Sequence, residues 1–123
     1  MNPNLAQFIG PNQTTALAEM GEESRVEIVA GLLETIENMP ESYGQDGKGD
    51  QAIAYLHYFN FSMDWYITER DSDPDGAGQI QAFGLADLGY GPELGYISIA
   101  ELIRHNVELD FYFDPKTLAE IKA

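Results

Sequence analysis

His57 and His105 are the only imidazoles in the chain, and there is no cysteine. A thiolate nucleophile, a thiolate metal cluster and a disulfide framework are therefore excluded. The two histidines lie far apart in sequence and form no HxxxH or HExxH pair for zinc. His57 sits among Tyr55, Leu56, Tyr58 and Phe59, the surroundings of a packed strand residue. Next to Asp64 or Glu69 it would gain the carboxylate partner of a general acid–base. No sequence-local nucleophile accompanies it.

The carboxylates are more numerous. Asp64, Glu69 and Asp87 fall near the ends of predicted strands, and their convergence would make the ligand set of a metal-dependent single-stranded DNA endonuclease. Glu41 followed by Asp46-Gly47-Lys48 has nuclease composition too, but Gly44, Gly47 and Gly49 make that stretch a flexible loop and a poor ligand support. Asp71-Ser72-Asp73-Pro74-Asp75-Gly76 begins like a calcium loop, with acids at positions one, three and five. Ala82 stands where the bidentate glutamate belongs, so Asp71, Asp73 and Asp75 are a weak metal candidate, and neither metal nor cofactor is expected. Gly84-Leu85-Ala86-Asp87-Leu88-Gly89 has the glycine spacing of a phosphate loop, but Tyr90-Gly91 replaces its lysine and hydroxyl. Tyr55, Tyr58, Phe59, Phe61, Trp65 and Tyr66 have the types that stack bases, yet no cation precedes Arg70 beside them, so core packing is the preferred account.

The elements that must position these groups can be read from periodicity. Leu5, Phe8 and Ile9 precede a Gly10-Pro11 turn, with room for a short helix on either side. From Glu22 to Met39, Val26, Val29, Ala30, Leu33 and Ile36 recur at helical spacing, with Ser24 and Glu27 as a capping box and Pro40 as the stop. Glu23, Glu27, Glu34 and Glu37 fall off that stripe and predict an acidic outer face. Residues 54–59 and 65–68 read as a strand pair joined through Asn60 to Asp64, residues 79–88 as a third strand and 94–97 as a fourth. Ser98 with Glu101 opens a short helix, Val107 to Phe113 alternates like a half-buried strand, and Asp114-Pro115 predicts the cap of a last helix. The fold class is α+β: an antiparallel meander of about five strands, an amino-terminal amphipathic helix and two short carboxy-terminal helices.

The chain has 123 residues, a size expected of a single domain, residues 1–50 being mainly helical with a loop. Six basic against 21 acidic residues give a formal charge of −15, and 44% hydrophobic residues argue against disorder. Such a surface repels phosphate, and the six cations are scattered along the sequence, so neither direct nucleic-acid binding nor adhesion to anionic membranes is expected. The field favours basic protein surfaces, including those of nucleic-acid-binding proteins. The amino terminus lacks a signal-peptide pattern, and the longest uncharged apolar run, Ala52 to Met63, is short of a bilayer span, so a cytoplasmic location is expected.

Met63-Asp64-Trp65-Tyr66-Ile67-Thr68-Glu69, Gln81 to Gly89, and Glu93 to Leu102 together resemble Domain of Unknown Function 2958, over about residues 53 to 121. Trp65, Gly84, Gly89, Glu93, Gly95 and Tyr96 match its recurring positions. The resemblance implies a small bacterial protein of plasmids and other mobile elements. Some members carry an automatic label of single-stranded DNA endonuclease, relatives sit near antirestriction genes, and no agreed catalytic residues are available to carry over. The leading expectation is a non-enzymatic acidic module that binds a basic host-defence or DNA-handling protein, in the manner of a nucleic-acid mimic. Its carriers would be Glu23, Glu27, Glu34, Glu37 and Glu41 with Asp71, Asp73 and Asp75. The metal-dependent nuclease using Asp64, Glu69 and Asp87 is the alternative.

Overall fold

The computed structural model describes residues 5–72 and 78–123. A 3-10 turn at Leu5–Gln7 leads into helix α1 (Pro11–Glu19), whose leading proline satisfies the first-turn preference. Helix α2 spans Glu22–Asn38, followed by a 3-10 turn at Gly49–Gln51 and strand β1 (Ile53–Ala54). Strands β2 (Leu56–Asn60), β3 (Met63–Glu69), β4 (Ala82–Asp87) and β5 (Pro92–Ile97) form the meander. Helix α3 (Ile99–Arg104), β6 (Glu108–Leu109), β7 (Lys116–Thr117) and α4 (Leu118–Lys122) complete the chain. The main sheet is antiparallel throughout, in the order β5-β4-β3-β2-β6, and β1 pairs with β7 in a separate two-stranded ribbon.

Because β5 and β6 occupy opposite edges, the segment between them must cross the sheet. Helix α3 lies on that path and buries Ile99 and Leu102 in the main core. Leu56, Tyr58, Trp65, Ile67, Ala82 and Ile97 line the same face of the sheet and meet Phe8, Leu17, Leu32, Ile36 and Met39. The fully buried Tyr58 hydroxyl donates to the Phe8 carbonyl at 2.5 Å, and burial pushes this phenol well above its ordinary pKa. The opposite face is covered only in part, where Ala52, Ala54, Leu85 and Leu118 form a smaller cluster.

Several local expectations change. Helix α2 turns Leu32, Ile36 and the following Met39 inward and leaves Val26 57% exposed, so its buried stripe is rotated from the one predicted through Val26 and Ala30. Its cap is Gly21 without a side-chain bond, not Ser24; Glu22 and Glu23 in the first turn complement the helix dipole instead. The β2–β3 hairpin closes through Phe61 and Ser62 alone, with Phe61 in the left-handed region, so both strands reach further into the turn than predicted, while Ala54 at the start of the predicted first strand belongs to β1 instead. The long predicted strand to Phe113 is only two residues, because Asp110 accepts the Tyr112 N–H at 2.9 Å and closes an Asx-turn that bends the chain away. The last helix is capped by Thr117 in a capping box with Glu120, not by Asp114, because residues 116–117 first pair with β1. Ser98 caps α3 as expected, accepting from the Glu101 N–H at 3.1 Å.

Two buried glutamines substitute for missing strand partners. Gln13 donates to the Leu109 carbonyl at 2.9 Å and accepts the Leu109 N–H at 2.8 Å, extending the edge strand β6 by a side chain. Gln45 does the same for Ile53, accepting at 2.7 Å and donating at 2.8 Å, and also donates to Thr68. Each satisfies backbone groups that would otherwise be buried without a partner.

Candidate functional site

The less covered face of the sheet carries the titratable side chains. Pairing of His57 with Tyr66, Phe59 with Asp64, and Asp64 with Asp87 places all five on this face, since side chains alternate and direct cross-strand partners share a side. Beyond Ile67 the register shifts: Ile67 faces Gly84, but Glu69 faces Phe83. This bulge resets the alternation, so Glu69 joins the open face although it lies an odd number of positions along the strand from Asp64.

His57 sits between two carboxylates. Its Nε2 lies 2.7 Å from Asp64 Oδ1, and its Nδ1 lies 3.3 Å from Asp110 Oδ2. The ring stacks on Tyr66 at 4.6 Å between centroids and 8° between planes, with Phe113 at 5.6 Å. Desolvation first, then the charges of Asp64, Asp87 and Asp110, raise the Tyr66 phenol above its ordinary pKa. With a carboxylate against each ring nitrogen, His57 ties β3 to the 110–113 turn, and it can act as a base only when one carboxylate moves aside.

The three acids of the nuclease set do not meet. Asp64 and Asp87 are direct cross-strand partners, whereas Glu69 lies five positions further along β3, roughly 16 Å at the usual rise per residue. Glu69 is 5% exposed and accepts the backbone N–H of Tyr43 at 2.6 Å and of Gln45 at 3.2 Å, which anchors the 43–45 loop. Among the described residues, no three of His, Asp and Glu are grouped to hold a metal ion.

The acids of α2 are arranged differently. At 3.6 residues per turn, Glu23, Glu27, Glu34 and Glu37 fall within a sector of about 80°, in a stripe about 21 Å long. All four are exposed, and Leu32 and Ile36 point to the opposite side. No ion pair among the described residues engages any of the four. Glu41 lies 3.7 Å from Arg70. Asp71 closes its loop by accepting the Gln81 N–H at 3.0 Å, while Asp73 and Asp75 lie outside the described residues. The cations remain on separate elements: Arg25 on α2, Lys48 before the 3-10 turn, Arg70 after β3, Arg104 ending α3, Lys116 on β7 and Lys122 on α4. Lys122 is paired with Asp50 at 2.7 Å. No helix among the described residues is long and apolar enough to cross a membrane.

The buried glutamines and Asp110 were absent from the sequence-derived set. Their roles depend on contacts with residues distant in the chain, and a polar residue next to an apolar run was the only signal available. No curated protein and no solved structure matches this chain significantly. One family model does, over residues 27–120, so the match starts inside α2 and takes in Glu27, Glu34 and Glu37 as well as the whole sheet. With three-quarters of its length matched and the α+β meander in place, the chain belongs to the family described as protein of unknown function (DUF2958).

Proposed function

We propose that this protein is a non-enzymatic acidic module that engages a basic protein surface, its sharpest form being mimicry of a nucleic acid toward a DNA-handling or host-defence protein. The observation that carries the reading is the α2 stripe: four exposed carboxylates on one face, unpaired with cations among the described residues, on a helix fixed to the core by its other side. With a net charge of −15, the field steers cationic surfaces to the molecule and slows approach of polyanions. Glu41, Asp71, Asp73 and Asp75 would add to the contact. The test is affinity capture from the native host at low and high salt, with the wild type and a variant reversed to lysine at Glu27, Glu34 and Glu37. A specific basic protein should be retained at low salt and released as the Debye length shrinks from about 30 Å at 0.01 M to about 3 Å at 1 M. The variant should not retain it. Retention of the same protein by the folded variant at high salt would defeat the proposal.

The cross-strand pair Asp64 and Asp87, with His57 against Asp64, favours a second reading: metal-dependent cleavage of single-stranded DNA. Incubation of the protein with magnesium or manganese and single-stranded DNA tests it. Cleavage lost in Asp64→Ala and Asp87→Asn would support it, and no cleavage above those variants would remove it.

A further inference from the structure

At the other end of the open face lies a cavity of about 170 Å³ that neither the α2 stripe nor the His57 cluster uses. Its floor is apolar, from Ala52, Phe83, Leu94 and Leu118, and its rim includes Tyr43 and Tyr96. A pocket of that size takes a benzene-sized guest and is too small for a whole cofactor. Phe83 and Tyr96 meet edge to face at 5.5 Å and 84°, and the hydroxyls of Tyr43 and Tyr96 are 3.1 Å apart. The two tyrosines are nonetheless 71% and 58% exposed, so aromatic surface stands open at the pocket.

The wall also holds Glu69 and Asp46, and among the described residues no Lys, Arg or His lines it. Glu69 is the telling group. It is almost fully buried, each of its oxygens accepts a single backbone N–H, and no cation pairs with it among the described residues. A carboxylate can accept about four hydrogen bonds, so acceptor capacity remains. A buried charge is normally paired, because its lost hydration is otherwise poorly replaced. Both Glu69 oxygens are satisfied by backbone donors and each has room for one more, which a cationic donor could fill. Tyr43, whose N–H donates to Glu69, is held at φ 68°, a conformation rare for a bulky residue. The Tyr96 hydroxyl is raised above its ordinary pKa first by its bond to Tyr43, with Glu69 and Asp46 adding to the effect.

The geometry points to this pocket as the seat of one arginine side chain from the basic partner, its guanidinium against Glu69 and stacked among the Tyr43, Phe83 and Tyr96 rings. The inference rests on the acidic-module reading and adds to it a specific anchor. Arginine fits better than lysine because its planar, weakly hydrated head stacks on ring faces and donates in a fork, whereas an ammonium is compact and strongly hydrated.

The test is calorimetric titration of the full chain with three short peptides alternating glycine with arginine, lysine or citrulline, with NMR of the aromatic rings. The arginine peptide should bind about five-fold or more tightly than the lysine peptide, and the citrulline peptide should not bind measurably. Ring signals of Tyr43, Phe83 and Tyr96 should shift with arginine. Tyr96→Ala should abolish the preference while Tyr96→Phe keeps it; Tyr96 is exposed, so neither change threatens the core. Equal affinity for arginine and lysine, or a preference that survives Tyr96→Ala, overturns the anchor and leaves the acidic-module reading standing. No binding of either cationic peptide at low salt overturns both. Arginine preference that persists after reversal of the α2 acids upholds the anchor, and an affinity for the arginine peptide unchanged by that reversal removes the stripe.

Discussion

Gly84→Ala tests the bulge that sets the open face. An added Cβ at this position would lie 1.9 Å from the Tyr66 carbonyl oxygen, 2.9 Å from its carbon and 3.0 Å from the Ile67 Cα, all of them backbone atoms that no side-chain rotation can clear. A carbon–oxygen contact settles near 3.3 Å, so β3 and β4 must separate locally by roughly 1.4 Å. Ladder bonds near 2.9 Å would lengthen beyond 4 Å, which is no longer hydrogen bonding. Losing two or three of them at about 1 kcal/mol each, and loosening the core at Ile67 and Ala82, gives an expected loss of about 3–5 kcal/mol. A domain of this length is stable by about 6–18 kcal/mol, so the variant should remain folded but shift its urea midpoint markedly. Fluorescence of Trp65, the one tryptophan, which sits on β3 against the core, reports the transition. Gly95→Ala on β5 is the control: nothing lies within 4 Å of its added Cβ, so it should be neutral or stabilise by about 0.5–1 kcal/mol. A Gly84→Ala unfolding free energy within about 1 kcal/mol of the wild type would refute the close approach at the bulge.

Two further outcomes follow from buried polar groups. Tyr58 has its folded pKa raised by burial, so its contribution is fully present below about pH 10 and is lost as pH rises from there toward the folded value, at about 1.4 kcal/mol per pH unit. Tyr58→Phe should cost about 1–2 kcal/mol near neutrality by leaving the Phe8 carbonyl without its donor, and should flatten the alkaline fall in urea midpoint; an unchanged alkaline slope would contradict this. Gln13→Ala removes both partners of the Leu109 backbone and should destabilise by about 2–4 kcal/mol, with faster amide exchange at Leu109; exchange at the wild-type rate would contradict the role of the glutamine in protecting this strand edge.

The features legible in sequence were those set by neighbours in the chain. The presence and order of β4 and β5, the Ser98 cap and the boundaries of α2 follow from local periodicity and capping chemistry, although β4 is shorter at 82–87 and β5 longer at 92–97 than alternation suggests. The rotation of α2 was not legible, because Val26, Val29 and Leu33 fit a stripe as well as Leu32 and Ile36 do. Contact with Phe8 and the sheet decides between them. The acids escaped this ambiguity, since Glu23, Glu27, Glu34 and Glu37 are aligned with each other whichever apolar stripe is buried. Glu69 was misplaced for a different reason. Period-two reading puts it on the face opposite Asp64, and only the unpaired residue at the bulge returns it to the same face, at the far end from Asp87. The sequence offers His57 either Asp64 or Glu69 as a carboxylate partner, and the hairpin register selects Asp64; the second carboxylate, Asp110, comes from a turn that alternation disguises as strand.

The α2 stripe is tested most directly by the salt dependence of affinity for an arginine-rich peptide, comparing the wild type with a chain carrying glutamine at positions 23, 27, 34 and 37. The substitutions touch no core contact, so both chains should be fully folded under the conditions of the binding assay. Wild-type affinity should fall steeply as salt rises, and the variant should bind about ten-fold more weakly at low salt, with a shallower slope. Superimposable binding curves for the two folded chains would contradict the claim that this helix face meets the partner.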